Sequence, residues 1–425
     1  MKTTVEVPPN WRRNFNIFLS GQFLSGITSM IVQYSIIWYL TRLTGSATIL
    51  SMATLLGMIP QVVLSPFVGP LIDRVNKKKL LIVTDLVVAC CALILAIVGT
   101  LAASFPLWLV FISLFVRSVA QTFQMPTIQA SVSTMVPEDE LTRVNGQLGM
   151  VNSANFVIAP ALGAFLFALM PMNLLILLDV LGAVLGVSLM LLVKIPRVLS
   201  EGEKIHLLRD TKFGLAQLQG KKGLWYITLI GALFTLIFMP AASLYPLMTM
   251  SYFGGTVGQA GLIEVVYAVG MLAGGTVIGL FGNWRDRMKP ILLAYLVIGV
   301  TIALSGFLTP NATGFHYFIL LNALAGIATP FFNTLLMAMI QQSYPPNHLG
   351  RVLGVLNSLM SITGPVGLIF AGPLADQIGV EKIFILAGCG TLFCGLLTWL
   401  LPVTRKYDQE LQAEKVQKEI SEGND

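Results

Sequence analysis

The stretch from Ser65 to Asp85 reads SPFVGPLIDRVNKKKLLIVTD, and the interpretation of the whole chain starts from it. One apolar run ends at Ile72, a short loop with one acidic and four basic residues follows, and a second apolar run begins at Leu80. A helix that crosses a membrane needs about 20 apolar residues and leaves most of its charged residues in the flanking loops. The stretch therefore predicts two membrane-spanning helices that are joined by a short loop outside the bilayer.

The composition agrees with this pattern along the whole chain. Of the 425 residues, 55% are hydrophobic and only 11% are charged, and the mean hydropathy is +0.80. An average soluble protein carries about 25% charged residues, and disordered segments combine low hydrophobicity with high net charge. These values exclude a single soluble globular domain and intrinsic disorder, and they predict an all-α polytopic membrane protein.

Twelve apolar runs are long enough to cross a membrane. We place them at residues 14–41, 48–72, 79–102, 106–134, 141–170, 173–195, 224–250, 256–282, 289–309, 314–341, 351–378 and 382–403. Almost all Lys and Arg residues then fall in loops on one side, which is typical of the cytosolic side. We therefore expect a multi-pass protein of the plasma membrane with both termini in the cytosol. Since these loops account for the net charge of +6, we expect no nucleic-acid partner.

The longest loop divides the chain into two halves of six spans each. We expect an N-terminal bundle over residues 1–195, a cytosolic linker with an amphipathic helix over 196–222, a C-terminal bundle over 223–404 and a charged cytosolic tail over 405–425. Pro, Arg, Val and Gly recur at the same spacing in Val136–Gly146 and Tyr344–Gly354, after the fourth and the tenth span. Such internal repeats are typical of secondary transporters, which bind their substrates near the bilayer midplane between the repeats.

The loop of the opening stretch closely resembles the signature loop of the major facilitator superfamily, G-x-L-a-D-r-x-G-r-k. The residues to which the resemblance assigns a gating role are Gly69, Asp73, Arg74, Lys77 and Lys78. It also implies the superfamily's fold, in which twelve helices form two pseudo-symmetric six-helix bundles. Asn76 replaces a Gly of the pattern, and we expect it to keep a left-handed turn because Asn tolerates that conformation. In the equivalent loop after the eighth span, Asn283 replaces the Asp, so a charge-based latch should be weaker there.

Two further motifs are similar to those of drug/proton antiporters. Arg117 in the fourth span, with Gln121 four residues later, resembles their buried arginine motif. The fifth span matches part of their glycine motif through Gly146, Pro160 and Gly163, although Asn155, Ala159 and Ala164 replace three of its glycines. Across almost the whole chain the pattern looks most like bacterial macrolide-efflux (Mef-type) carriers. This resemblance implies an exporter that exchanges amphipathic drugs for protons.

Four charged side chains lie within the predicted spans, away from their ends. A charge at the centre of a membrane helix costs about 2.5–3.5 kcal/mol on insertion scales, so it persists where it is paired, faces water or has a function. We expect a proton-coupling role for Glu264, Arg117, Asp85 and Asp179. Glu264 is the leading candidate for the proton carrier, because no basic residue of the second half lies at its depth. The alternative is a structural role, in which Glu264 reaches towards the membrane surface or is hydrogen-bonded to Tyr267 or Ser243.

The other three charges leave alternatives open. Asp85 and Arg117 could form a buried pair, which would serve either to neutralise both charges or to relay protons. A hydrogen bond to Asn152 or Asn155 would satisfy Asp179 in a structural role. Amides and aromatic rings within the spans are candidates for the substrate site: Gln33, Tyr34, Trp38, Phe123, Asn155, Tyr245, Tyr267 and Asn333.

The leading functional prediction is therefore a proton-coupled exporter of amphipathic drugs, with the lipid bilayer, protons and a small molecule as its partners. The same fold would also suit an exporter of a siderophore or metabolite, or a proton-coupled nutrient symporter. An intramembrane enzyme would need a nucleophile beside a base or a metal-binding pattern, and a sensor would need a folded domain outside the membrane. We expect a monomer that is not an enzyme and that uses no cofactor or metal, and the lack of a Walker-type motif excludes ATP as the direct energy source.

Overall fold

The computed structural model describes residues 10–102, 105–196, 207–282, 284 and 286–413. Twelve of the described helical segments are long and apolar enough to cross a membrane. This finding confirms the predicted all-α polytopic fold, and the predicted ends of most spans lie within a few residues of the observed ones. The Cα positions divide the chain into two compact units, each of which is described separately below.

The first unit comprises Met1–Gly45, Met52–Ile205 and Thr256–Val265. Its helices are α1 (Trp11–Thr44), α2 (Ala47–Arg74, whose first turn belongs to the second unit), α3 (Lys77–Leu101), α4 (Leu107–Met135), α5 (Leu141–Leu169), α6 (Met172–Ile176), α7 (Leu178–Leu192) and the start of α11 (Val257–Phe281). Helix α1 packs against α5 and α7, and α3 packs against α4 and α7. The predicted sixth span is thus two helices, α6 and α7, with a break at Leu177.

Two residues of the signature loop serve as caps for helix ends. The Asn76 side chain accepts a hydrogen bond from the backbone N–H of Lys79 at 3.1 Å, which caps the N-terminus of α3. Its backbone is extended, with φ −72°, so the expected left-handed turn is wrong, because an N-cap residue needs an extended backbone. Lys78 Nζ donates to the carbonyl oxygens of Leu191 and Val193 at 2.9 and 2.8 Å, where α7 ends.

The second unit comprises Ser46–Ser51, His206–Gly255 and Val266–Asp425. Its helices are the first turn of α2, α8 (Leu207–Gly220), α9 (Lys222–Ser243), α10 (Tyr245–Leu247), a π-helical turn (Met248–Tyr252), the remainder of α11 (Val257–Phe281), α12 (Met288–Phe307), α13 (Ala312–Ser343), α14 (Pro346–Ile378), α15 (Val380–Leu400) and α16 (Pro402–Arg405). Helix α12 packs against α13 and α15, and α9 packs against α14 and α15. The predicted seventh span breaks at Leu244, two residues before Pro246, which has no N–H to continue a helix.

The predicted amphipathic linker helix forms, and the structure gives it a protein partner. In α8, the Phe213 ring lies 4.9 Å from the guanidinium of Arg351 and 5.0 Å from the His348 ring, both on α14. Leu218, an apolar residue of the same helix, is fully buried. Part of the apolar surface of α8 is therefore covered by α14 of the same unit.

The first turn of α2 is capped by a carboxylate from the end of α14. Gly45 ends α1 in the left-handed conformation, with φ 58°, and α2 begins two residues later. Asp376 accepts hydrogen bonds from the backbone N–H groups of Ala47 and Thr48, at 2.6 and 3.0 Å, and from the Ser46 hydroxyl at 2.8 Å. A carboxylate at a helix N-terminus satisfies free N–H groups and interacts favourably with the helix dipole.

The described part of the C-terminal tail is docked onto the second unit. Asp408 is completely buried and accepts hydrogen bonds from the backbone N–H and Nε of Arg287, at 2.6 and 2.8 Å. Arg287 Nη2 lies 2.5 Å from the same carboxylate and 2.9 Å from Gln342 Oε1. A free charged tail was expected, and the structure places residues up to 413 against the starts of α9 and α12. Residues 414–425, Asn283 and Arg285 lie outside the described residues.

Candidate functional site

Helix α1 carries a stripe of polar side chains through the interior of the first unit. Ser25, Ser29 and Gln33 are spaced four residues apart, so they lie along one face of the helix. Each of them contacts a charged side chain that the sequence placed within the membrane. The stripe therefore positions three of the four predicted proton-coupling residues.

The buried ion pair of this unit joins Arg117 on α4 to Asp179 on α7. Both residues are buried, with 2% and 3% of their surface exposed. Arg117 Nη2 also donates to the Ser29 carbonyl oxygen at 2.8 Å and its Nε to Gln33 Oε1 at 3.4 Å, while the Ser29 hydroxyl donates to Asp179 Oδ1 at 3.0 Å. The prediction that Asp179 bonds to Asn152 or Asn155 is therefore wrong. Asp179 is in the first turn of α7, level with Arg117.

Asp85 on α3 has no part in this ion pair, so the predicted Asp85–Arg117 pair is wrong. Its Oδ1 accepts hydrogen bonds from Gln124 Nε2 at 2.8 Å and from the Ser25 hydroxyl at 3.2 Å. Gln124 is seven residues beyond Arg117 on α4, which is about 10 Å along the helix. Asp85 thus lies beside Gln124, about two helical turns along α4 from the arginine.

A cavity of about 540 Å³ lies between α1, α4 and α5. Carboxamide side chains account for half of the residues that line it: Gln22, Gln124, Gln129, Asn145, Asn152 and Asn155. Within the described part of the chain, Asn155 Oδ1 is buried without a hydrogen-bond partner. Asn155 was a predicted substrate residue, and the other five were not. The spacing of Asn145, Gly149 and Asn152 on one face of α5 was the signal that could have identified this wall.

Glu264 lies in the portion of α11 that belongs to the first unit, and it is half-buried. It is close enough to Tyr34 for an electrostatic interaction, and the Tyr34 ring stacks on the Trp38 ring with 5.6 Å between their centroids. One turn earlier, Gly261 lies against Trp38 and the carbonyl oxygen of Pro160. Glu264 takes part in none of the four ion pairs between described residues. The indole N–H of Trp38 is fully buried and has no partner among those residues.

The remaining predicted substrate residues are dispersed. Phe123 is half-buried on α4 and does not line the cavity described above. In the second unit, Tyr245 is buried between the rings of Phe318 and Phe384, and the Tyr267 hydroxyl lies 2.9 Å from Thr329 Oγ1. Asn333 is exposed on α13. The structure thus brings Gln33, Tyr34, Trp38 and Asn155 into one unit and places Tyr245, Tyr267 and Asn333 in the other.

The predicted motif residues have different surroundings. Gly163 packs against Trp38 and Ile31 of α1, whereas Gly146 has no neighbour within 4 Å of the position a Cβ would take. Arg74 and Lys77 end α2 and begin α3, and the side-chain position of Asp73 lies outside the described residues. Residues 10–102, 105–196, 207–282, 284 and 286–413 contain no group of three or more His, Cys, Asp or Glu that could hold a metal ion.

Comparisons of the sequence with known proteins give consistent results. The family model of the Major Facilitator Superfamily matches residues 18–308 and 224–422. Macrolide efflux protein A of Streptococcus pyogenes is 36% identical over 401 residues, which cover 94% of this chain and 98% of that protein. The multidrug efflux pump Tap of Mycolicibacterium fortuitum is 24% identical over 413 residues, covering 92% and 96% of the two chains.

Solved structures of transporters share the fold. A bacterial homologue of the iron transporter ferroportin, in an inward-facing state, matches with a TM-score of 0.72 and 15% identity, covering 93% of this chain and 99% of that one. The nucleoside transporter NupG matches with a TM-score of 0.68 and 14% identity, covering 92% and 98%. At such low identity these likenesses concern the fold alone.

Proposed function

Because the chain belongs to the major facilitator superfamily, in the branch of the macrolide efflux proteins, we propose that it exports amphipathic, macrolide-like drugs in exchange for protons. The observation that carries the proposal is the imbalance of charge within the first unit. This unit buries or half-buries three carboxylates along its spans, and Arg117 neutralises only Asp179. Asp85 and Glu264 form no ion pair with a described residue and are the candidates for binding protons.

The cavity between α1, α4 and α5 supports a polar but uncharged contact surface for the drug. Each carboxamide offers two donors and a carbonyl acceptor, which suit the hydroxyl, ester and ketone groups of a macrolide. Such a surface accepts related molecules, because amides can donate or accept at each position. The half-buried Tyr34 ring, which stacks on the buried Trp38 ring, offers an apolar face within range of an electrostatic interaction with the Glu264 carboxylate. An amphipathic molecule with a basic amine fits both features.

Transport in this proposal proceeds by alternating access. A proton and the drug compete for the carboxylates: the drug binds from the cytosol while Glu264 is ionised, and protonation from the outside favours its release. The Arg117–Asp179 pair holds α4 and α7 together within the unit. Its two opposite charges cancel each other in every step of the cycle. The protein acts in the plasma membrane, as a monomer with both termini in the cytosol.

Transport into everted membrane vesicles tests this function. With an acidic lumen, we expect a radiolabelled macrolide to accumulate, and a protonophore should reduce accumulation to the level of vesicles without the protein. Glu264→Gln should abolish accumulation with normal amounts of protein in the membrane, since glutamine does not exchange protons at these pH values. Glu381→Gln, which removes an acidic side chain in the first turn of α15, is the matched control and should transport normally.

Two outcomes would contradict the proposal. Accumulation that persists at full rate with the protonophore present would exclude proton coupling. Loss of preloaded drug from the same acidic vesicles, instead of accumulation, would indicate a proton symporter that imports its substrate.

A further inference from the structure

Gln124 lies between the cavity and the buried carboxylate of Asp85. It lines the cavity, and its Nε2 donates to Asp85 Oδ1 at 2.8 Å. Asp85 itself has 8% of its surface exposed and is not among the residues that line the cavity. An ionised carboxylate can only accept hydrogen bonds, so the amide nitrogen of Gln124 must face Asp85. The other end of the amide, the carbonyl oxygen Oε1, is then available to the cavity.

We propose that Gln124 determines which substrate groups this cavity binds, and that protonation of Asp85 reverses its preference. With Asp85 ionised, Gln124 presents an acceptor, which favours a protonated amine or a hydroxyl group. When a hydronium ion transfers a proton to Oδ1, an O–H bond of the hydronium breaks, an O–H bond forms on Asp85, and the Nε2–H···Oδ1 hydrogen bond breaks. The amide then turns by half a rotation, Oε1 accepts the new O–H, and the NH₂ group faces the cavity. A cationic amine loses its acceptor and leaves.

The surroundings of Asp85 suit a group that changes its charge. From α7, Gly186 approaches Asp85 closely, with 3.5 Å between the carboxylate and the position of a Cβ on that glycine. The charge of Asp179, on the same helix, also acts on Asp85, and it is neutralised by Arg117 of α4. Helix α1 contributes the Ser25 hydroxyl, which donates to Oδ1 at 3.2 Å and can keep donating to a remaining lone pair when that oxygen is protonated.

This inference rests on the proposed exchange of drug for protons, because it assigns the step in which the two compete. It adds a specific role for Gln124, which was not among the predicted substrate residues. Gln124 would be a specificity-determining residue that touches the substrate, and Asp85 would act on the substrate through it.

Infrared difference spectroscopy tests the amide rotation without any substrate. Acid titration of the protein in membranes, with ¹³C-labelled glutamine side chains, should produce a carboxyl band that Asp85→Asn lacks. A shift of a glutamine amide band should accompany it. That shift should disappear in Gln124→Leu and persist in Gln129→Leu, which removes a cavity amide that donates no hydrogen bond to Asp85. A carboxyl band without the amide shift, or no protonation of Asp85 in the range of the titration, would overturn the inference.

Ligand binding tests the change of preference separately. We compare a macrolide that carries a basic amine with its N-demethyl, N-acetyl derivative, which is neutral. The preference for the basic form should fall about ten-fold on acidification in the wild type and in Gln61→Leu, which removes an exposed amide of α2 outside the cavity. A ten-fold change is the size expected for one hydrogen bond to a charged group. It should be independent of pH in Gln124→Leu, and in Asp85→Asn it should stay at the acid value. If Gln124→Leu keeps the pH dependence, this inference fails and proton-coupled export stands. If no proton gradient drives export, the proposed function fails, and the infrared result still decides the role of Gln124.

Discussion

At the scale of single residues, the spans of the first unit hold one buried ion pair, Arg117–Asp179, and two carboxylates, Asp85 and Glu264, that form no ion pair with a described residue. The cost of a charge in a membrane helix predicts specific roles for Asp85, Arg117, Asp179 and Glu264. Their partners do not follow from it. Arg117 pairs with Asp179 because the first turn of α7 lies level with it. Asp85 lies about two turns further along α4, beside Gln124. If the predicted depth of each span is wrong by a few residues, the wrong carboxylate is assigned to Arg117.

The Arg117–Asp179 pair is expected to stabilise the fold and to be dispensable for coupling. Asp179→Asn leaves the arginine buried without a counter-charge, and it should lower the free energy of unfolding by about 3–5 kcal/mol. The double variant Arg117→Met with Asp179→Leu removes both charges, and it should restore most of this stability. Thermal unfolding in detergent and accumulation of macrolide in vesicles measure the two effects. A double variant that folds normally but does not transport would contradict this structural role.

At the scale of helices, contacts between helices depend on which face each glycine occupies. Gly270, Gly274, Gly275 and Gly279 of α11 are separated by the spacing of a small-residue stripe. In the structure, Gly270 and Gly274 lie against the backbone of α13, whereas Gly275 and Gly279 have no neighbour within 4 Å of an added Cβ. The spacing predicts close packing of helices. The rotation of α11 about its axis decides which glycines take part in it.

Adjacent glycines of α11 should therefore respond in opposite ways to the same substitution. In Gly274→Ala, the new methyl group would overlap the carbonyl oxygen of Ile327, and separating the helices should cost about 1–3 kcal/mol. Gly275→Ala meets open space and should raise stability by up to about 1 kcal/mol through the higher helix propensity of alanine. Thermal unfolding of the two purified variants measures this difference. Equal destabilisation of both would show that the contact with α13 does not control packing here.

At the scale of the whole molecule, the C-terminal tail packs against the second unit although its charged residues predict a solvated segment. The segment after Arg405 is rich in charged residues, which predicts a solvated tail. The structure buries Asp408 against Arg287 and places the Tyr407 hydroxyl 2.7 Å from Ser343 Oγ. A charge that is paired and fully hydrogen-bonded can be buried, but its partner here is more than 100 residues away in the sequence. No local pattern indicates such a partner.

Removal of the tail carboxylate should destabilise the second unit far more than removal of its exposed neighbour. Asp408→Ala leaves Arg287 buried without its counter-charge, with an expected loss of about 3–5 kcal/mol. Glu410→Ala, two residues later and exposed, should change stability by less than about 0.5 kcal/mol. The amount of folded protein in membranes and the unfolding temperature in detergent report both effects. Similar values for the two variants would mean that the tail adds little to the stability of the unit.

The order and number of the spans were determined by the sequence itself. An apolar run of sufficient length has to form a helix in a bilayer, because each backbone N–H and C=O group must be bonded within the segment. The loop charges, the internal repeat and the signature loop can also be recognised in the sequence. The resemblance to the superfamily was therefore visible without coordinates.

Only the tertiary structure decided the depth and rotation of each helix about its axis. These two quantities bring Gln124 between the cavity and Asp85, and they place Asp179 beside Arg117. They are set by the packing of side chains from helices far apart in the chain, whereas hydropathy responds only to the average apolar character of a segment. The apolar runs of the sequence therefore determine the number and order of the spans, and the packing of the helices determines which side chains meet.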